Sequence, residues 1–422
     1  MSSILIRNLA EVATPCGITA QRGRKMRELR VVRSAAITIR DGLFDYVGPE
    51  KDLPREDGSF DEEIDARGAT AIPGFVDSHT HLPFAGYRES ELNRRLQGES
   101  YEDIAASGGG IAATVHATRA ASKGDLVANI LRRTEIMALH GTTTAEAKSG
   151  YGLNYGDEMK QLAAIDDAND ASCVRLVPTC LAAHDFPPES KAREEGKSAY
   201  IDLILERILP EVSRRKLAKY CDVFVERGVY SIEQGRAILS AGRDVGLRPR
   251  IHADELSDSG GALLAVEIGA ASADHLMYVS DGGIAALSAS GTVANLLPAT
   301  SFFLMSERYA PGRRLIDSGA IVSLSTDCNP GSSMTESMAI VIQLATLNMK
   351  LTIEEALTAA TLNGAHSLGL AAELGSIEPG KVADLVLLDA PSHFHLVYHF
   401  GVNLVRDVFR NGKAVVHQGR VV

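Results

Sequence analysis

The sequence has no tryptophan, only 5% aromatic residues and only five cysteines in 422 residues. Those cysteines, Cys16, Cys173, Cys180, Cys221 and Cys328, are odd in number, scattered, and form no C-x-x-C pair. They read as reduced thiols of the cytosol, with Cys328 packing beside a site described below. A basic stretch is also lacking: the formal net charge is -11 and no run of lysine and arginine stands out, which excludes nucleic acid and anionic membrane as partners. No segment approaches the roughly 18 uninterrupted apolar residues of a membrane span. The first residues, MSSILIRNLAEV, lack the charged region, apolar core and cleavage site of a signal peptide, so the cytoplasm is the expected compartment. Low-complexity segments and short internal repeats are absent too. A protein acting on small molecules is what remains.

What is present is organised around residues 71–86, AIPGFVDSHTHLPFAG. The apolar run reads as one buried strand over 71–81 that ends in His79-Thr80-His81. Side chains repeat every second residue in a strand, so both imidazoles face one way. Residues 3–8, 30–40 and 42–47 at one end, and 381–388, 405–410 and 412–422 at the other, look like short strands split by turn signals such as Asp41-Gly42 and Asn411-Gly412. Neither group buries a sheet face alone, so we expect residues 1–68 and 377–422 to pair into one small β-sandwich domain.

Between them, strand and helix patterns alternate. After 71–81, strands are expected at 142–148, 174–180, 221–226, 248–254, 271–275, 292–297 and 321–327, with helices such as 126–140, 201–215, 232–241 and 334–347 between them. Eight such units over 69–376 argue for a TIM-like (β/α)8 barrel, whose active site lies at the carboxyl ends of the strands. His79 and His81 end the first strand, His252 the fifth, His275 the sixth and Asp327 the eighth. Three imidazoles, His79, His81 and His252, with the Asp327 carboxylate would hold one divalent ion, zinc or iron. His275 then stands just beyond the ligands as an acid or electrophile.

Arg88, on the loop after His81, is a fork-shaped donor suited to a carboxylate, with a surface ion pair to Glu89 or Glu91 as the plainer reading. Tyr151 sits between Gly150 and Gly152, which let backbone approach a ligand, or else it packs. His184 closes the loop after strand three, and Asn329, Gly331 and Ser332 form a turn-like loop after Asp327. Gly108-Gly109-Gly110 has no Walker lysine and reads as an entry loop over the site. Lys148 ends strand two, where a metal-bridging carbamate is not expected, so a second ion is not expected either. Glu226 lines the cavity or pairs with Arg227 or Lys219, and His393, His395 and His399 read as solvated.

The H-x-H, the strand-end histidines, Asp327 and the closing GSIEPGKVADLVLLD (375–389) resemble the amidohydrolase superfamily over nearly the whole chain. More narrowly, HTHLPFAGYRESELNRRLQG (79–98), SYEDIAASGGGI (100–111), EAKSGYGL (146–153), HADELSDSGGA (252–262), SADHL (272–276) and STDCNPGSS (325–333) resemble the imidazolonepropionases. The resemblance implies a metallo-barrel with a terminal β-sandwich, a homodimer, and hydrolysis of the cyclic amide 4-imidazolone-5-propanoate to N-formimino-L-glutamate by a metal-activated water. It carries substrate contacts onto Arg88, Tyr151, His184, Glu255, Asn329, Gly331 and Ser332, with the Tyr101 hydroxyl helping Arg88. Asp327, His275 and Glu255 are the candidates for proton transfer, and the residues alone do not choose among them. The alternative within this fold is a metal-dependent heterocycle deaminase, since His252-x-x-Glu255 serves that chemistry equally; Arg88 argues against it, because a neutral base needs no carboxylate clamp. A non-catalytic assembly protein would be expected to lose ligands, and none of the four is missing here.

Overall fold

The structure is a computed structural model describing residues 3–54, 60–99, 103–104 and 107–422. Its centre is a parallel sheet of eight strands in chain order: Phe75–Asp77, Thr142–Lys148, Arg175–Ala183, Tyr220–Val225, Arg248–Ala253, Ser272–His275, Val293–Leu296 and Ile321–Leu324. All of Thr142–Lys148 and of Val293–Leu296 is buried, as parallel strands covered by helices require. The ring closes just past its first and eighth strands. There the Asp327 N–H donates to the His79 carbonyl at 3.1 Å and the His81 N–H to the Cys328 carbonyl at 3.0 Å. The buried Asp77 carboxylate reinforces that seam by accepting from the Thr326 N–H at 3.0 Å. Two helices outside start where the sequence supplies reciprocal caps: Ser122 with Asp125 opens Lys123–Leu139, and Ser231 with Gln234 opens Ile232–Asp244.

The two chain ends share one sheet of nine strands. Ser3–Thr14, Arg30–Arg40, Leu43–Pro49, Glu62–Asp65 and Thr70–Pro73 come from the amino end, and Leu385–Leu388, Val405–Arg410, Lys413–His417 and Arg420–Val421 from the other. The sheet curls until its far parts meet: the Phe44 N–H donates to the Lys381 carbonyl at 2.9 Å and the Ala383 N–H to the Gly42 carbonyl at 2.8 Å. Ile37, Phe44, Leu385 and Phe409 fill a core separate from the barrel's. The chain is thus a TIM barrel with a sandwich built from both termini.

Two expectations need correction. The strand expected over 71–81 is divided between the two sheets. Thr70–Pro73 pairs with Ser3–Thr14 and Leu385–Leu388, and Phe75–Asp77 begins the barrel. Pro73 brings no N–H to a ladder, and the Gly74 N–H turns instead to the Asp384 carbonyl at 3.0 Å. His79 and His81 follow the barrel strand as extended chain, their rings 5.3 Å apart. His393 is not solvated either: its N–H and its ring Nδ1 both lie 2.7 Å from a Glu11 carboxylate oxygen.

Gly74 lies at the crossing between sheets, where a Cβ would come within 2.9 Å of the Thr143 Cβ. Gly74→Ala should therefore cost about 1–3 kcal/mol through overpacking, read as a lower urea midpoint with unchanged slope. An unmoved midpoint would mean that Thr143 yields and the crossing is not tight.

Candidate metal centre

At the mouth of the barrel the strand ends bring four of the expected residues around one point. His79 Nε2 and His81 Nε2 each stand 3.4 Å from Asp327 Oδ1, and His252 Nε2 stands 3.4 Å from His81 Nε2. None of the four residues is more than 2% exposed. Tetrahedral ligands about 2.0–2.1 Å from an ion stand roughly 3.4 Å apart, so these separations would suit the ligands of one cation. Two overlapping groups, His79 with His81 and His252, and His79 with His275 and Asp327, each present three donor atoms. His79 Nε2 is buried without a hydrogen-bond partner. Imidazole nitrogens with one carboxylate suit zinc or iron.

The electrostatics agree. Burial pushes His252 down to about 3 and His275 to about 4, and lowers His81 and His184, which leaves these rings neutral at pH 7. At His79, burial and Lys148 pull down, but Asp274 and Asp327 prevail and lift the ring to about 9. Those two carboxylates thus demand positive charge at His79, which a metal ion supplies as well as a proton does. Asp327 is steadied on its other oxygen by the Thr300 hydroxyl at 2.7 Å. Positive φ values at Asp254 (52°), His275 (76°) and Asp327 (55°) concentrate backbone strain at this mouth.

Two carboxylates that the sequence did not single out orient the rings. The His79 Nδ1 donates to Asp274 at 2.7 Å, and the His252 Nδ1 lies 3.1 Å from Asp222. Their signal was a charge inside an apolar strand, as in YCDVFV of Tyr220–Val225. Lys148, 2.8 Å from Glu146 and 2.7 Å from Asp222, keeps its charge although burial opposes it. An ammonium so held is not the neutral amine that a carbamate needs.

The substrate candidates surround this centre unequally. Glu255 lies 3.5 Å from the His275 Nε2, and burial, with the charge of Asp327, pushes its carboxyl up to about 8. Tyr151 is buried with its ring 5.2 Å from that of His184, which stacks on His81 at 5.0 Å. Arg88 is paired with Glu91, through Nε at 3.0 Å and Nη2 at 2.7 Å, but the pair is nearly buried rather than at the surface. Its Nη1 lies against Gly331 so closely that any Cβ there would collide with it. Glu91 also accepts from the Gly110 N–H at 3.0 Å, docking the glycine stretch. Asn329 is turned inward on its own loop: its oxygen accepts from the Gly331 and Ser332 N–H groups at 2.8 Å each, and its nitrogen donates to the Asp327 carbonyl at 2.7 Å and the Ser332 hydroxyl at 2.8 Å. Tyr101 lies outside the described residues.

Other residues, missed by sequence reasoning, hold the loops that carry these groups. Arg133 donates to the Leu82 and Phe84 carbonyls at 2.8 and 3.0 Å, and Glu158 accepts from the Gly152 and Leu153 N–H groups at 2.8 and 2.9 Å. Both sit on helices distant in sequence from the loop they brace or presented as ordinary helix charges, so no pattern marked them. Glu226 pairs with neither Arg227 nor Lys219 side chains; it accepts from the Leu256 and Ser257 N–H groups at 2.9 and 3.1 Å, fixing the loop that presents Glu255.

Comparison with known proteins agrees with this architecture. A model of the Amidohydrolase family matches residues 236–415. A protein named imidazolonepropionase from Symbiobacterium thermophilum is 47% identical over 421 residues, covering 99% of this chain and 98% of that one. Another of that name from Geobacillus thermodenitrificans is 46% identical over 100% of both chains. Among solved structures, an adenosine deaminase from Xanthomonas campestris with bound zinc aligns with a TM-score of 0.69 at 19% identity, covering 100% of this chain and 94% of that one. An ochratoxinase from A. niger aligns with a TM-score of 0.72 at 17% identity, over 99% of this chain and 96% of that one. At these identities the two structures share the fold.

Elemental analysis tests the centre directly. The purified protein should carry one divalent ion per chain, His79→Ala should lose it, and His275→Ala should keep most of it. Equal loss in both variants would place His275 among the ligands.

Proposed function

The chain belongs to the imidazolonepropionase family of amidohydrolases, and from that premise we propose how its residues hydrolyse the cyclic amide of 4-imidazolone-5-propanoate to N-formimino-L-glutamate. The observation that carries the proposal is the convergence of His79, His81, His252 and Asp327 on one point with Glu255 and His275 beside it. A divalent metal held by those four residues would polarise the attacking water and the ring carbonyl. Asp327, its orientation fixed by Thr300, accepts the proton that the water gives up. His275, neutral because it is buried, donates a hydrogen bond to the carbonyl oxygen as negative charge develops there. Glu255, whose carboxyl burial pushes up to about 8, delivers a proton to the departing ring nitrogen. The bond broken is the one between that nitrogen and the carbonyl carbon, and the water oxygen becomes part of the new carboxylate.

Substrate grip is separate from these steps. Glu91 engages the Nε edge of Arg88, and the Nη1 side faces the Gly331 loop next to Asp327, where the propionate carboxylate would be bound. His184, stacked on His81, and Tyr151, tilted against both, supply aromatic surface beside the centre for the ring. The same reading takes zinc or iron as the ion, one per chain, and a cytoplasmic homodimer. Five unpaired cysteines support the compartment, and exposed Leu347, Tyr398 and Phe400 support the pairing of copies.

The direct test is to incubate the metal-loaded protein with imidazolone propionate, follow loss of its ultraviolet absorbance and identify the product by mass. No turnover above background would end the assignment. Arg88→Lys reduces a bidentate, charge-assisted contact to a single one, so it should chiefly raise KM, at a cost of about 1.5–3 kcal/mol or roughly ten- to a hundredfold in kcat/KM. If both constants stayed intact, the clamp would be wrong.

Glu255→Gln keeps the shape and removes the transferable proton. It should lower kcat by roughly 10²–10⁴ with KM little moved, the range of a positioned acid or base. An unchanged kcat would leave Glu255 orienting the ring and put the proton on Asp327 and His275.

A further inference from the structure

We infer that Lys148 is a positioning residue that couples His79 to His252, through the two carboxylates on which those rings lean. Lys148 ends the second barrel strand and, like Glu146, Asp222, Asp274 and Arg250, is wholly buried. Its Nζ stands 2.7 Å from Asp222 Oδ2, the oxygen that lies 3.1 Å from the His252 Nδ1. The same Nζ stands 3.7 Å from Asp274 Oδ2, the oxygen that accepts from the His79 Nδ1 at 2.7 Å. One ammonium therefore faces both orienting oxygens. Glu146 holds it from behind at 2.8 Å, and Arg250, 3.1 Å from Glu146 and 3.6 Å from Asp274, completes the cluster while donating to the Ser78 carbonyl at 2.8 Å.

Stability alone does not explain such a cluster. Well-packed apolar residues in place of a buried ion group are often neutral or stabilising, so five charges buried away from water point to another use. Three carboxylates against two cations leave one negative charge, and Asp327 adds a second, which matches a divalent ion among neutral histidines. Asp274 accepts from the His79 Nδ1–H and Asp222 lies 3.1 Å from the His252 Nδ1, so a carboxylate backs each ring and Nε2 is the nitrogen left to face the common point. The inference rests on the reading that His79, His81, His252 and Asp327 hold the ion.

Cobalt(II) serves as the probe, with affinity measured by competition with a chelator and ligand geometry by the visible spectrum. Lys148→Met should weaken cobalt binding by roughly ten- to a hundredfold and shift the spectrum, the size of effect that orienting partners have. The double variant Glu146→Gln/Lys148→Met, which keeps the cluster's net charge and so guards against misfolding, should show the same loss. Asp222→Asn and Asp274→Asn should each weaken binding, by factors that fall short of multiplying when combined beside Lys148 but multiply in the Lys148→Met background. A folded double variant with affinity within twofold of the parent and an unchanged spectrum would overturn the proposal, as would a lowered melting temperature of the metal-free protein as the sole effect. If the parent protein takes up no cobalt, or His79→Ala keeps it, the metal reading itself fails, and that result is distinct from a failure of Lys148.

Discussion

Everything at this site depends on the balance of charge among side chains shielded from bulk water. In a medium of low polarity a carboxylate without a partner is costly, and a cation without one equally so. The chain meets that constraint in two layers. Below, Glu146, Lys148, Asp222, Asp274 and Arg250 pair with one another as ions inside the barrel. Above, their residual negative charge and Asp327 leave the point between the histidines short of positive charge, as the rise of His79 to about 9 expresses. The same carboxylates set which ring nitrogen faces that point, so electrostatics and ligand geometry arise from one set of contacts.

Chemistry of this kind also requires loops that do not drift. The residues proposed to touch substrate lie on loops after the barrel strands, and three of those loops are tied down by a buried side chain outside the segment they hold. Arg133 holds the loop of Leu82 and Phe84, Glu158 that of Gly152 and Leu153, and Glu226 that of Leu256 and Ser257. Gly331 follows the same logic in reverse: the lack of a Cβ lets the Arg88 guanidinium lie against its backbone. Asn329, with both polar atoms engaged inside its loop, fixes the chain around Asp327.

The barrel was legible because its strands carry local signals. Seven of the eight lie within a few residues of where apolar runs and turn residues placed them, and Thr142–Lys148 matches at both ends. The first did not, since Ala71 to Val76 is continuously apolar and only the partners on either side of Pro73-Gly74 decide which sheet each half joins. His393 was misread for a similar reason: its burial depends on Glu11, at the other end of the chain.

The sequence by itself determined the kinds of chemistry available: histidines two apart at a strand end, more at later strand ends, an aspartate after the last, and an arginine on the first loop. Those features are short-range patterns of spacing and residue type. Tertiary structure alone decided that His79 leans on Asp274 and His252 on Asp222, that Lys148 lies between these carboxylates, and that Glu91 holds Arg88 inside the mouth rather than at the surface. Each of these depends on distances across the barrel or between loop and helix, and on the removal of water from the space between the groups. Neither is written in the order of residues along any one strand.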